Sequence, residues 1–174
     1  LLATGAEPLI LNIPGIDGEN VKVAQDVLLK RSQVKGDVVI CGGGQVGVET
    51  GLELLKRGHK ISIIEMLPDV ILKEELMTRI VMMQKLAAAN VPLLCSHTVS
   101  RINAGSVEAV DTATGMVKEL SCDTVVVAFG TKPVNKLREL LKDKFDEVIV
   151  IGDARLPDTI TSAIHDGFFA ALDI

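Results

Sequence analysis

The stretch VVICGGGQVGVETGLELLKRGHKISIIE, Val38–Glu65, decides the fold. It opens on a four-residue apolar run, Val38–Cys41, that stops at three glycines. From Gln45 to Arg57 the apolar residues Val46, Val48, Leu52 and Leu55 recur at helical spacing, and Gly58 is placed to end that helix. The run KISIIE, Lys60–Glu65, is rich in isoleucine and alternates, which predicts a second strand. The pattern is strand, glycine turn, helix, strand.

The turn reads Gly42-Gly43-Gly44-Gln45-Val46-Gly47, a match to GxGxxG. Such a match is weak alone, but here it has a strand before it and a helix after it, the context the motif needs. Gly42 permits the tight turn, Gly44 lets backbone approach a pyrophosphate, and Gly47 lets the helix pack on the strand. Free N–H groups and the positive helix end then cradle phosphate. Glu65 ends the second strand, where an acidic side chain accepts hydrogen bonds from ribose hydroxyls. It would repel a 2′-phosphate, and no Arg or Lys lies between Met66 and Leu72, which favours NAD(H) over NADP(H). The bland alternatives are a glycine-rich turn without ligand and an exposed strand-end carboxylate.

Outward from this unit, Leu1–Lys35 is a short apolar strand end, a turn-rich stretch and a short helix over Ala24–Lys30. Downstream, a longer helix is expected from Lys73 to Asn90, with Leu76, Ile80, Met83 and Ala87 on one face and Lys73-Glu74-Glu75 as a solvated start. Pro92 opens a strand, PLLC. Val99–Ile102, Ser106–Asp111 and Met116–Leu120 then read as an antiparallel meander. Cys122–Gly130 reads as a buried strand, Val134–Leu141 as a helix, Glu147–Asp153 as another buried strand and Ile160–Ile174 as a last helix. The sum is an α/β protein with a Rossmann-like parallel sheet and a three-stranded β-meander.

Composition narrows the function. The chain has 174 residues, 48% of them hydrophobic but only 2% aromatic, so aliphatic side chains must build the core. A net charge of −5 argues against a nucleic-acid or anionic-membrane surface. No run of about 18 apolar residues is present, so no membrane span is expected. Cys41, Cys95 and Cys122 show no CxxC spacing and read as reduced thiols in a cytoplasmic protein. His59, His97 and His165 lack metal-ligand spacing. Cys95-Ser96-His97 admits a thiolate–imidazole contact, but no third orienting group is evident. Phe168 and Phe169 are expected in a core or a domain interface.

GGGQVGVE (Gly42–Glu49), with ATGAEP (Ala3–Pro8), FGTKP (Phe129–Pro133) and IGDARLPDTITSAIHDG (Ile151–Gly167), resembles the flavoprotein reductases with two dinucleotide-binding domains. The nearest likeness is to the C-terminal region of the NADH:flavin oxidoreductases, the group of 2-enoate and 2,4-dienoyl-CoA reductases. The resemblance covers the whole chain. It implies an NAD(H)-binding domain over about 36–129, inserted between 1–35 and 130–174, two incomplete pieces of an FAD-binding domain, with crossings at Ala3–Gly5 and Gly130. It implies that Asp153 meets the flavin ribityl chain and that Glu49 sits near the nicotinamide, although Glu49 could equally be a solvated helix residue. Cofactor contacts are thus expected from Gly42, Gly43, Gly44, Gln45, Val46, Gly47, Glu49, Glu65, Met66, Gly130 and Asp153, with no catalytic acid, base or metal ligand. The cofactors are NAD(H) and FAD, with FMN and a 4Fe-4S cluster upstream by resemblance only.

The departures are that the family's first FAD phosphate loop, the FMN barrel and the iron–sulfur cysteines are absent, and that no CxxC supports disulfide chemistry. The chain starts at Leu1 without Met. We therefore expect a piece of a longer polypeptide, inactive alone, whose partners are the parent's missing FAD and FMN domains. Its flanks are expected to be rearranged, poorly ordered or used in a homodimer, since unpaired strand edges invite pairing. Two other readings stand beside hydride transfer: a module that holds ADP structurally and a methyltransferase-like site. The meander and the Gly152-Asp153 pair argue against the latter.

Overall fold

The computed structural model describes residues 1–172, in this order: β1 (Ala6–Pro8), β2 (Val21–Val23), α1 (Ala24–Leu28), β3 (Val38–Cys41), α2 (Gln45–Lys56), β4 (Ile61–Ile64), α3 (Leu76–Ala88), β5 (Leu93–Leu94), β6 (His97–Ile102), β7 (Ser106–Asp111), β8 (Val117–Ser121), β9 (Thr124–Val127), β10 (Thr131–Pro133), α4 (Lys136–Leu141), a 3₁₀ turn (Gly152–Ala154) and α5 (Ile160–Leu172). The chain divides into two compact units, 10–130 and 1–9 with 131–172. The first boundary between these units falls after Leu9, whereas the resemblance implied one at 35/36. The reason is β2, which pairs in parallel with β9 as Val21↔Val125 through Val23↔Val127 and ties the 10–35 segment to the larger unit.

In the larger unit, five parallel strands run in the order β2-β9-β3-β4-β5. Strand side chains alternate between faces, and here that alternation builds two cores. Val38 and Ile40 of β3, Ile61 and Ile63 of β4 and Val126 of β9 face Ala24 and Val27 of α1, Val48 and Leu54 of α2 and Leu86 of α3. Val39, Cys41, Ile64, Val125 and Val127 face the antiparallel β6-β7-β8 meander through Ile102, Val107 and Ala109. A sheet covered on both faces explains why β3 and β9 read as unbroken apolar runs, all four residues of each being buried. This is the α/β fold with parallel sheet and meander expected from the sequence.

Four expectations change. The helix forecast from Lys73 starts at Leu76 because Glu75 caps it, its carboxylate accepting the N–H groups of Met77 and Thr78. Its inward face is Met82, Met83 and Leu86, while Leu76 (64%) and Ile80 (41%) are exposed. Apolar residues occur on both sides of this helix, so periodicity could not select the buried one.

In the smaller unit, β1 pairs antiparallel with β10. The forecast buried strand Glu147–Asp153 is reduced to one parallel bridge, Leu2↔Val150, followed by the 3₁₀ turn. Its apolar composition suits a sheet interior, but Leu2 is its only ladder partner among the described residues. Phe168 and Phe169 are each 59% exposed and stack edge to face, so they are not core residues. The forecast helix Ile160–Ile174 is α5 as far as Leu172, and positions 173 and 174 lie outside the described residues. No described helix is long and apolar enough to cross a membrane.

Candidate nucleotide-binding site

At the C-terminal end of β3 the backbone turns sharply at Gly42, whose φ of +110° and closeness to the Ala128 carbonyl (2.3 Å from a Cβ built there) admit no side chain. A Cβ on Gly47 would stand 2.0 Å from the Gly42 carbonyl oxygen, so only glycine lets α2 approach the turn. Gly44 differs. It is exposed, its backbone is extended (φ −71°, ψ −176°), and a Cβ there would meet nothing within 4 Å. Glycine at 44 is therefore not a packing requirement. It leaves the approach to the backbone open.

The amides sort into two groups. Gly42 N–H is taken by Ile64 O at 2.9 Å, and Gly43 N–H by Glu65 Oε2 at 2.6 Å. The first bond into α2 is Val48 N–H to Gly44 O at 3.0 Å. The first amides of a helix have no acceptor within it, so Gly44, Gln45 and Val46 present theirs at the positive helix end. The amides of Gly42 and Gly43 are thus not free to meet an anion.

Glu65, at its strand end, is 8% exposed, unlike the exposed carboxylate of the bland alternative. Besides Gly43 it accepts Leu67 N–H through Oε1 at 2.8 Å. Each carboxylate oxygen has two lone pairs, so each keeps one for a ribose hydroxyl. The loop beyond closes the same corner: Ile71 N–H donates to Gly43 O at 2.8 Å, and a Cβ on Gly43 would meet Val70 at 2.5 Å. Met66 is 62% exposed beside Glu65. Glu49 is half-buried on α2 and accepts Gln45 Nε2 at 3.1 Å. Gly130 lies beyond β9 with φ +96°. The structure thus brings Gly42–Gly47, Glu49, Glu65 and Met66 to one end of the sheet, whereas Asp153 belongs to the other compact unit.

In that smaller unit, Gly152 and Asp153 line a cavity of about 440 Å³ with Ala3, Gly5, Asp158 and Thr159. The turn is held by a carboxylate the sequence reading did not single out: Asp166 of α5 accepts Gly152 N–H at 3.0 Å and Arg155 Nε and Nη2 at 2.8 and 2.6 Å. Its bonds to Arg155 hold Asp166 below the usual carboxylate range. A depressed carboxyl stabilises the fold above its unfolded pKa, about 3.9, and that contribution is lost as pH falls through the folded value. Protection of the Gly152 amide, its exchange relative to the unstructured rate at the same pH, should fall below about pH 4, and Asp166→Asn should lose that protection already at neutral pH. Acid-insensitive protection at Gly152 would contradict the clamp.

His97 Nδ1 meets the Cys95 carbonyl oxygen at 2.6 Å, leaving the imidazole engaged with backbone in place of the thiol. The cysteines are all free. Burial pushes the Cys41 thiol up strongly and Cys122 up to about 11, and burial, with Asp69 and Glu65 nearby, raises Cys95. Thiolate is the reactive form, so at pH 8 a thiol reagent should leave Cys41 and Cys122 unmodified in the native chain and label Cys95, the least buried, first. Mass spectrometry of the labelled peptides reads this directly, and rapid labelling of Cys41 would contradict it. No group of three or more potential metal ligands occurs among the described residues.

Fold and loop together define a dinucleotide-binding domain of the three-layer kind, with helices on one face of a parallel sheet and a meander on the other. The profile of the pyridine nucleotide-disulphide oxidoreductase family matches residues 1–154. The chain belongs to that family. It is 37% identical over 179 residues to an NADH oxidase of Thermoanaerobacter brockii, covering 100% of this chain and 27% of that protein. It is 36% identical over 173 residues to a bilirubin reductase of Mediterraneibacter gnavus, covering 98% of this chain and 26% of that protein. Among solved structures, a 2-naphthoyl-CoA reductase in complex with 2-naphthoyl-CoA superposes with a TM-score of 0.87 at 26% identity, covering 99% of this chain and 26% of that one. The chain therefore spans about a quarter of the length of these relatives. Family membership agrees with the cofactors expected from the sequence, a pyridine nucleotide and FAD.

Proposed function

We propose that this chain is the NADH-binding part of a longer flavin-dependent oxidoreductase of the enoate-reductase-like class, passing electrons from NADH to FAD. The observation that carries the reading is the corner where buried Glu65 bonds Gly43 N–H at 2.6 Å beside the outward amides of Gly44–Val46. A pyrophosphate fits those amides, and the adenosine ribose fits the lone pairs Glu65 has left. In this reading Glu49, one turn into α2, would meet the nicotinamide. When bound, the nicotinamide supplies hydride and the flavin accepts it, chemistry that belongs to the cofactors. The chain's residues bind and orient.

Among the described residues there is one glycine-rich strand-to-helix turn, and the nucleotide occupies it in this reading. Asp153 therefore holds one part of the flavin, with the rest gripped by protein outside this sequence. The exposed apolar residues of α5, Ile160, Ile164, Phe168 and Phe169, support a partner there, either the remainder of a parent chain or a second copy. The reduced thiols suit a cytoplasmic setting.

A purely structural ADP module is the second reading, because the same amides and Glu65 would hold ADP equally well. Calorimetry of the chain with NADH and with ADP separates the two. Tighter binding of NADH supports the redox role, and equal affinities support the ADP module.

A further inference from the structure

The segment after Glu65 contains no Arg or Lys from Met66 to Leu72, yet the fold supplies a guanidinium from 14 positions downstream. Arg79, in the first turn of α3, is bound to Asp69 of this loop through one terminal nitrogen. Its Nε is buried and has no hydrogen-bond partner among the described residues. Asp69 uses its other oxygen on Val70 N–H at 2.8 Å. Val70 and Ile71, the next two residues, are the ones that press on Gly43, the same glycine Glu65 holds. One loop thus carries the ribose carboxylate at its start and, four residues on, Asp69, which tethers the Arg79 guanidinium of α3.

An Arg near the ribose carboxylate is the device by which such folds accept a 2′-phosphate, since a guanidinium matches phosphate with parallel N–H bonds. Here that cation is occupied. We propose that Asp69 is a specificity-determining residue: by engaging Arg79 it withholds that guanidinium from the adenosine ribose and so keeps 2′-phosphorylated nucleotides out. The proposal rests on the nucleotide-binding reading above. It assigns the discrimination to two carboxylates with different tasks. Glu65 repels a 2′-phosphate directly, and Asp69 acts through Arg79. The spare donor capacity of Arg79, visible in its unpartnered Nε, is what a freed side chain would turn toward the phosphate.

The test uses the whole chain and two probes, ADP and 2′-phosphoadenosine 5′-diphosphate, titrated by calorimetry. The wild type should prefer ADP. Asp69→Asn, nearly isosteric, should narrow that preference about tenfold, the scale of one gained charge-assisted hydrogen bond. Adding Arg79→Met to Asp69→Asn should restore the wild-type ratio, a reversal that a loss of loop packing would not produce. Asp69→Ser serves the same purpose if the asparagine variant does not fold. An unchanged ratio in the Asp69 variants, or a gain that persists without Arg79, overturns the proposal while leaving nucleotide binding intact. Failure of the wild type to bind either probe overturns the parent reading and this one with it.

Discussion

Gly44→Val is expected to weaken nucleotide binding on the order of a hundredfold while leaving the fold in place, and Gly47→Val is expected to lower both stability and binding. The two glycines are three residues apart in one motif, but their surroundings differ. At Gly44 the backbone is already extended, and a Cβ meets nothing within 4 Å. Valine at this helix N-cap costs about 1 kcal/mol, or about 2–4 °C in Tm for a chain of this size. Its branched side chain, however, stands where a pyrophosphate must reach the amides of Gln45 and Val46. Losing two charge-assisted hydrogen bonds removes about 3 kcal/mol, a fall in NADH affinity on the order of a hundredfold. At Gly47 a Cβ collides with the Gly42 carbonyl at 2.0 Å, and backbone cannot swing aside as a side chain can. Forcing α2 off the turn should cost about 3 kcal/mol or more, lowering Tm by about 10 °C. Thermal melting and NADH titration of both variants check the pair. Full NADH affinity in Gly44→Val would show that the amides after the turn are not the phosphate site.

Glu65→Gln should cost stability and affinity together. The carboxylate accepts two backbone N–H groups, one on each oxygen, at 2.6 and 2.8 Å. A glutamine has one carbonyl oxygen and turns its NH2 toward either Gly43 or Leu67. A buried donor is then left facing a donor, a loss of about 1–3 kcal/mol. The same substitution removes the negative charge and one of the acceptors available to a ribose diol, so NADH should weaken about tenfold or more. NADPH should weaken less, because repulsion of its 2′-phosphate is relieved. An unchanged NADH-to-NADPH affinity ratio in this variant would remove Glu65 from the adenosine site.

The larger unit was legible because its signals are local and agree with one another. Four apolar residues, three glycines, a helical period and an isoleucine strand each specify the same βαβ turn, and the later switch to short alternating strands announces the meander. What escaped the sequence depends on partners distant along the chain. Periodicity could not choose the inner face of α3, because apolar residues line both sides and only packing on the sheet selects Met82, Met83 and Leu86. The run Glu147–Ile151 has a strand's composition but needs neighbouring strands, and among the described residues only Leu2 bridges it. The unit boundary shifted to Leu9 because the three residues of β2, too short to announce themselves, pair with β9 about a hundred positions on.

The site shows the same division. The glycines and Glu65 could be read directly, since each follows from its place at a strand end or helix start. That Glu65 is anchored and buried could not, because its partner Gly43 lies 22 residues away. Nor could Arg79 be placed at the loop or Asp166 at the Gly152 turn, for ion pairs across 10 and 11 positions leave no periodic trace.

The most direct test of the phosphate cup is a titration of the 15N-labelled chain with NADH, followed at the backbone amides. The amide signals of Gly44, Gln45 and Val46 should move most, saturate together, and be joined by Gly43 as Glu65 takes up the ribose. Saturable binding that leaves those three amides unmoved, or none at millimolar NADH, would contradict the account.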